Sequence, residues 1–281
     1  MKQSLKSIFL FCYISLIPLA YAQSGEDRET RLAQAAQNPL GITREERYST
    51  LPFENETNFG YGINNKTQNT LNLKPVEAFN WTPSTDLVFR TILPIALQPN
   101  PNSNSYITGI GDLNPTVFFS PRTTDKQWLF WGLGPTVVFP TASNGLLGSG
   151  KWSLGPELVF IAIPKQWTLA FLTSNIWSVG GEKNKATVSQ LSFQYFITYN
   201  FSHGWYLTSQ PTLIANWKER PSQVWTVPFG GGGGRAFYIG KQGLDLSLQG
   251  YVNPIRAEDS EQWFIKATLT FLFIDKTYKR A

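Results

Sequence analysis

The chain carries a single histidine, His203, among its 281 residues. Acyl transfer by a serine needs an imidazole or comparable base beside the nucleophile. His203 lies in Ser202-His203-Gly204, a turn sequence in which a solvated imidazole is the plainer reading. Gly230 to Gly234 resembles a phosphate cradle only in its glycines: no Lys-Ser/Thr follows and no helical pattern opens after it. The Gly109-Ile110-Gly111 step is equally weak, and glycines of this kind in a strand mark bulges or close backbone approach. The only cysteine, Cys12, is near the start. The rest of the chain therefore has no thiol nucleophile, thiolate metal site or disulfide. These residues point to no catalytic group, metal site or cofactor, and the chain reads as a non-enzyme.

The side chains with most chemical content are Lys74, Arg90, Asp112, Glu157, Asp245 and Lys266, three positive and three negative. Residue alternation sets each opposite a row of apolar neighbours, so all six face one interior. There they either pair off and fill a narrow lumen, or line a permeation path that selects solute. In the second case Asn100 to Tyr106, with Asn104, and Thr141 to Gly150, with Asn144, shape the outer mouth.

The elements that would position these groups are strands. In Ala186 to Phe201, Leu191, Phe193, Tyr195, Ile197 and Tyr199 share one face and Gln190, Ser192, Gln194, Thr198 and Asn200 the other. Trp205 to Lys218 and Gly243 to Ile255 repeat the pattern. The periodicity predicts strands near 55–63, 67–79, 85–97, 106–120, 127–140, 151–163, 166–179, 186–201, 204–218, 223–238, 243–255 and 262–274. Pro164-Lys165-Gln166, Ser202-His203-Gly204 and Gly240-Lys241-Gln242 make tight turns, whereas Gln98 to Ser105, Thr141 to Gly150 and Arg256 to Glu261 are longer and polar. Short turns on one side, longer loops on the other and an even strand count describe an all-β, antiparallel transmembrane barrel spanning 55–274, with both ends on the short-turn, periplasmic side.

The aromatic load, 10 Trp, 11 Tyr and 20 Phe, fits that reading. Trp205 and Trp217 bracket one outward face, and Trp167 and Trp177 another. Ten to twelve tilted residues rise roughly 23 to 28 Å, the height of an apolar band between two aromatic girdles. A barrel is also the one sheet that leaves no backbone polar group unpaired in lipid. Lys or Arg on the lipid side would cost roughly 2–4 kcal/mol at the midplane, which drives the charges inward.

Lys2, Lys6, the apolar run Ile8 to Leu19 and Ala20-Tyr21-Ala22 spell a signal peptide over 1–22. Its removal takes the formal charge from +5 to +3 (less Lys2 and Lys6). The remaining basic residues are dispersed, which argues against nucleic acid as a partner. Residues 23–54 read as a short polar helix and linker; a disordered leader and a helix folded into the lumen as a plug are the other readings. Residues 275–281 form a tail. In the closing strand Trp263, Ile265, Ala267, Leu269, Phe271 and Phe273 point one way. With Lys266 it resembles the terminal signal read by the barrel-assembly machinery, although Thr268 stands where glycine is usual.

Asn58-Phe59-Gly60-Tyr61-Gly62, Gly109-Ile110-Gly111-Asp112-Leu113-Asn114-Pro115, Gly148-Ser149-Gly150-Lys151-Trp152, Gly204-Trp205-Tyr206-Leu207-Thr208-Ser209 and Trp225-Thr226-Val227-Pro228-Phe229-Gly230 together resemble a bacterial outer-membrane family often labelled "transporter" or, misleadingly, "neuromedin U". The chain is also distantly similar to barrels tied to phenol meta-pathway degradation. The resemblance implies an envelope barrel passing small organic molecules, and carries over no catalytic residues. The function expected is passive passage of small organic solutes across the outer membrane, with membrane lipids and the assembly machinery as partners. The alternative is a closed structural or adhesive barrel that binds through its loops.

Overall fold

A computed structural model describes residues 27–43, 46–62, 64–122, 128–258 and 260–275. The signal peptide expected over 1–22 and the tail from 276 onward lie outside them. Twelve strands follow one another: β1 (Tyr48–Tyr61), β2 (Lys66–Leu73 with Val76–Thr82), β3 (Thr85–Pro99), β4 (Tyr106–Ile110 with Asn114–Pro121), β5 (Leu129–Val138) and β6 (Lys151–Ala162). Then come β7 (Trp167–Gly181), β8 (Ser189–Asn200), β9 (Trp205–Ser209 with Thr212–Asn216), β10 (Trp225–Ile239), β11 (Gln242–Ile255) and β12 (Trp263–Ile274). Each pairs antiparallel with the next, and β12 returns to β1 from Tyr48↔Ile274 to Phe59↔Trp263. The sheet is a closed barrel without free edges.

Three strands are interrupted, at Lys74-Pro75, at Gly111 to Leu113 and at Gln210-Pro211. Proline has no N–H to give to a ladder, so two of the breaks fall where pairing must lapse. Single bonds hold the register across the first: Lys74 N–H to Pro52 O at 3.0 Å and Thr91 N–H to Pro75 O at 3.1 Å. β1 begins at Tyr48 rather than at the expected Asn55. Leu51 and Phe53 continue its outward row and Thr50 and Glu54 its buried row, while Pro52 between them reads as a breaker and hides the pattern.

The short turns after β6, β8 and β10 each place a residue in the left-handed region, Lys165 at φ 54°, His203 at 60° and Gly240 at 61°, as tight antiparallel hairpins require. The start of β1 and the end of β12 share this end of the barrel, since Tyr48 is paired with Ile274.

Helix α1 (Arg28–Ala36) is capped by Asp27, whose carboxylate accepts Thr30 N–H at 2.7 Å. Leu32, Ala33 and Ala35 are buried against Tyr48, Tyr206, Ala236 and Leu272 at the short-turn end. Pro39-Leu40-Gly41 then carries the chain onward, and Leu40 is fully buried in a second cluster with Val88, Phe118, Phe130, Val159 and Ile161. Gly41 is required here: its φ is +66°, and a Cβ would stand 2.3 Å from Tyr48 O. The short-turn half of the barrel interior thus holds two packed apolar clusters, where the sequence suggested a hydrophilic interior.

The outer face is apolar. Leu207, Leu246, Leu248 and Val252 are all more than half exposed, and Trp167, Trp177, Trp205 and Trp217 point outward with them. The indole N–H of Trp217 donates to Asn175 Oδ1 at 2.8 Å, the amphipathic arrangement expected of a ring at the edge of lipid.

Candidate functional site: the barrel lumen

Above the apolar half the inward positions turn polar. Lys74 is ion-paired with Glu54. Arg90 approaches Glu157 at 3.4 Å, and Glu157 also accepts the Thr116 hydroxyl at 2.5 Å, whose oxygen lies 2.8 Å from Thr136 Oγ1. Asp245 receives the Tyr206 hydroxyl, which lies 2.9 Å from both of its oxygens. Lys266 donates to Gln210 O at 2.8 Å, and its ammonium stands 5.4 Å from the Tyr251 ring centre. Glu54, Glu157, Asp245 and Lys266 are each less than a tenth exposed. Polar groups withdrawn from water to this degree need partners, and most have them.

Lys74, Arg90 and Asp245 line one cavity of about 90 Å³ with Glu54 and Tyr206, and Ala36 to Pro39 also line it. Glu157 joins the group through Arg90. Asp112 lies apart, in the break of β4. Its carboxylate accepts Ser149 N–H at 2.7 Å, Ser149 Oγ at 2.8 Å and Ala142 N–H at 3.2 Å, fastening the 139–150 loop. Asn144 shapes that loop by accepting Leu146 N–H at 2.9 Å through Oδ1, and Asn104 is exposed in the loop between β3 and β4.

Glu54 and Tyr206 were not among the residues singled out in the sequence. Glu54, Glu56 and Asn58 keep the two-residue spacing of an inward row, which would have found the first. Tyr206 is an aromatic among aromatics, and only its burial opposite Asp245 marks it.

The segment 27–42 is joined to the short turns by polar contacts. Thr30 Oγ1 donates to Phe201 O at 3.0 Å, Gln34 Nε2 to Lys165 O at 3.0 Å and Gln37 Nε2 to Asn200 Oδ1 at 2.9 Å. His203 takes part through its backbone, donating N–H to Asp27 Oδ2 at 2.7 Å. Past the end of the segment, Arg47, bridged to Ile42, is ion-paired with Asp86 and Asp275, and Arg122 with Asp86. Gly230 to Gly234 lie within β10. A Cβ on Gly232 would come within 2.0 Å of Leu248 O, so the run serves close strand approach.

No family model and no curated protein matches the chain. Among solved structures, the COG4313 outer membrane channel from Pseudomonas putida F1 superposes with a TM-score of 0.58 at 15% identity, over 80% of this chain and 94% of that one. The fold is that of an outer-membrane β-barrel. The NanC porin superposes with a TM-score of 0.52 at 9% identity, over 79% of this chain and 98% of that one. Identities this low speak for the fold alone. With the apolar outer face and the closed ladder, that fold places the chain in the bacterial outer membrane.

Proposed function

We propose that this barrel is a passive channel for small organic solutes, held shut at its periplasmic mouth by residues 27–42. The observation that carries the reading is the cavity on the lumen side of that segment. It is lined by charged and hydroxyl side chains from β1, β2, β3, β9, β11 and β12, and its floor is a peptide held by hydrogen bonds and by the buried side chains of Leu32, Ala33, Ala35, Leu40 and Ile42 rather than by the sheet. A barrel meant only as a scaffold gains nothing from a polar cavity closed in this way. The resemblance to phenol meta-pathway barrels, and with it a preference for aromatic or weakly polar solutes, belongs to this proposal, as does insertion by the barrel-assembly machinery.

Planar-bilayer recording tests it. Leu40→Asp buries a carboxylate among Val88, Phe118 and Phe130, which costs several kcal/mol by order of magnitude, while the segment's polar bonds are each worth only about 1 kcal/mol. The stretch from Asn38 to Ile42 should therefore leave the lumen, with α1 still docked through Leu32, Ala33 and Ala35, and conductance should rise above that of the wild type. The variant should keep a heat-modifiable barrel on detergent gels. An intact variant barrel with no conductance and no solute uptake in liposomes would favour the closed structural barrel, for which the Glu54–Lys74 and Arg90–Glu157 pairs already speak.

A further inference from the structure

We infer that the lumen cavity is a binding site for a small organic ammonium ion, with Asp245 as its counter-charge. The inference rests on the channel reading and names a solute class for it. Asp245 is 5% exposed, and its only hydrogen-bond donor among the described residues is the Tyr206 hydroxyl. None of the ion pairs among those residues includes it. The cations of the lumen are engaged elsewhere: Lys74 with Glu54, Arg90 with Glu157 and Lys266 with Gln210 O. Directly opposite Asp245 on the two flanking strands stand Ala236 and Thr270, which bring no charge.

A carboxylate has roughly four acceptor sites, and one hydroxyl proton fills one of them. Buried without a cation, such a group is costly. The cavity beside it offers a place for one. Tyr206 stands beside Asp245 and Phe196 also lines the cavity, rings that attract a cation over their faces, while Leu172 and Val76 in the same lining suit an alkyl part. An anion beside Asp245 would meet its charge while Lys74 and Arg90, which also line the cavity, are committed to Glu54 and Glu157, and an uncharged solute would leave Asp245 without a counter-charge.

The test is calorimetric titration of the full, detergent-solubilised barrel with isobutylammonium chloride, with isobutanol as its uncharged match and sodium chloride as a bare cation. Wild-type protein should bind isobutylammonium at least about tenfold more tightly than isobutanol, the scale of one charged hydrogen bond, and more tightly than sodium. Asp245→Asn, which keeps shape and a partner for Tyr206, should remove the preference, whereas Glu219→Gln in an exposed loop should retain it. Equal binding of amine and alcohol, sodium binding as tightly as the amine, or a preference surviving in Asp245→Asn would each overturn the site. Should Asp245→Asn not yield a heat-modifiable barrel, Tyr206→Phe frees the carboxylate from its competing donor; it should tighten amine binding, and unchanged or weaker binding overturns the inference. Bilayer recording separates the two proposals. Amine binding by the wild type with no conductance in Leu40→Asp overturns the channel alone, and conductance in Leu40→Asp with no amine preference in the wild type overturns the site alone.

Discussion

Asp27 joins two parts of the chain that are far apart in sequence. One carboxylate oxygen accepts Thr30 N–H at the start of α1 and the other accepts His203 N–H in the turn between β8 and β9. Burial disfavours the charged form, but these N–H donors outweigh it and hold the carboxyl below its ordinary range. A carboxyl lowered by folding contributes stability that is fully present above its unfolded value and is lost as pH falls through the folded value. Hydrogen exchange of the α1 amides should therefore be slow at neutral pH and accelerate on acidification through and below the usual carboxylate range. Asp27→Asn should show fast exchange already at neutral pH; a pH-independent rate in the wild type would dismiss the role. His203, read from the sequence as a turn residue, contributes its backbone N–H here, which no residue-type argument could have shown.

At the scale of single elements, glycines report how closely strands approach. A Cβ on Gly134 in β5 would lie 1.7 Å from Val117 O in β4, along a seam whose ladder has only Thr116↔Thr136 and Phe119↔Leu133 in register. Gly134→Val should force the two strands apart, costing about 1–3 kcal/mol and lowering the temperature at which the barrel loses its compact gel mobility. On the outward row of β11, Leu248→Arg should cost roughly 2–4 kcal/mol if it lies near the midplane, read as a lower urea midpoint for refolding into lipid vesicles. An unchanged midpoint would mean that this face does not meet hydrocarbon. The strands were readable wherever their two faces differ, as in β8, where Ile197 and Tyr199 point out while Thr198 and Asn200 point in. The apolar half of the lumen was not. In β3, Val88 points inward between the outward Leu87 and Phe89, and in β4 Phe118 does so beside Phe119. Where both faces are apolar the two-residue period vanishes. What covers Phe118 is Leu40, from a segment whose composition says only that it is polar and helical.

For the whole molecule, the ring divides into three storeys. The loop end is braced by Asp112, the middle holds the paired and unpaired charges, and the short-turn end is filled by 27–42. The six charges picked from the sequence fall in two of these storeys, because alternation gives the side a residue faces and not its height along the axis. Height depends on the stagger between neighbouring strands, set by pairings such as Asp245↔Thr270 and Val76↔Arg90 that no local pattern contains. The storeys also predict which variants act on permeation. Leu40→Asp, which removes the floor of the cavity, should change conductance and weaken amine binding together, whereas Asp245→Asn should remove amine preference and leave the periplasmic end closed.

The pairing of Tyr48 with Ile274 bears on how such an object comes into being. Helix α1 precedes the first hairpin in the chain, yet its final neighbours Asn200, Ala236 and Leu272 belong to later ones. The wall around it is completed only when the twelfth segment meets the first, a long-range event that entropy makes slow. The helix must therefore either wait in place as a template around which the hairpins curl, or enter through the mouth once the cylinder is whole. On the first route closure of the cylinder and its sealing coincide; on the second a freshly inserted copy passes through a stage in which it is already a tube and not yet stoppered.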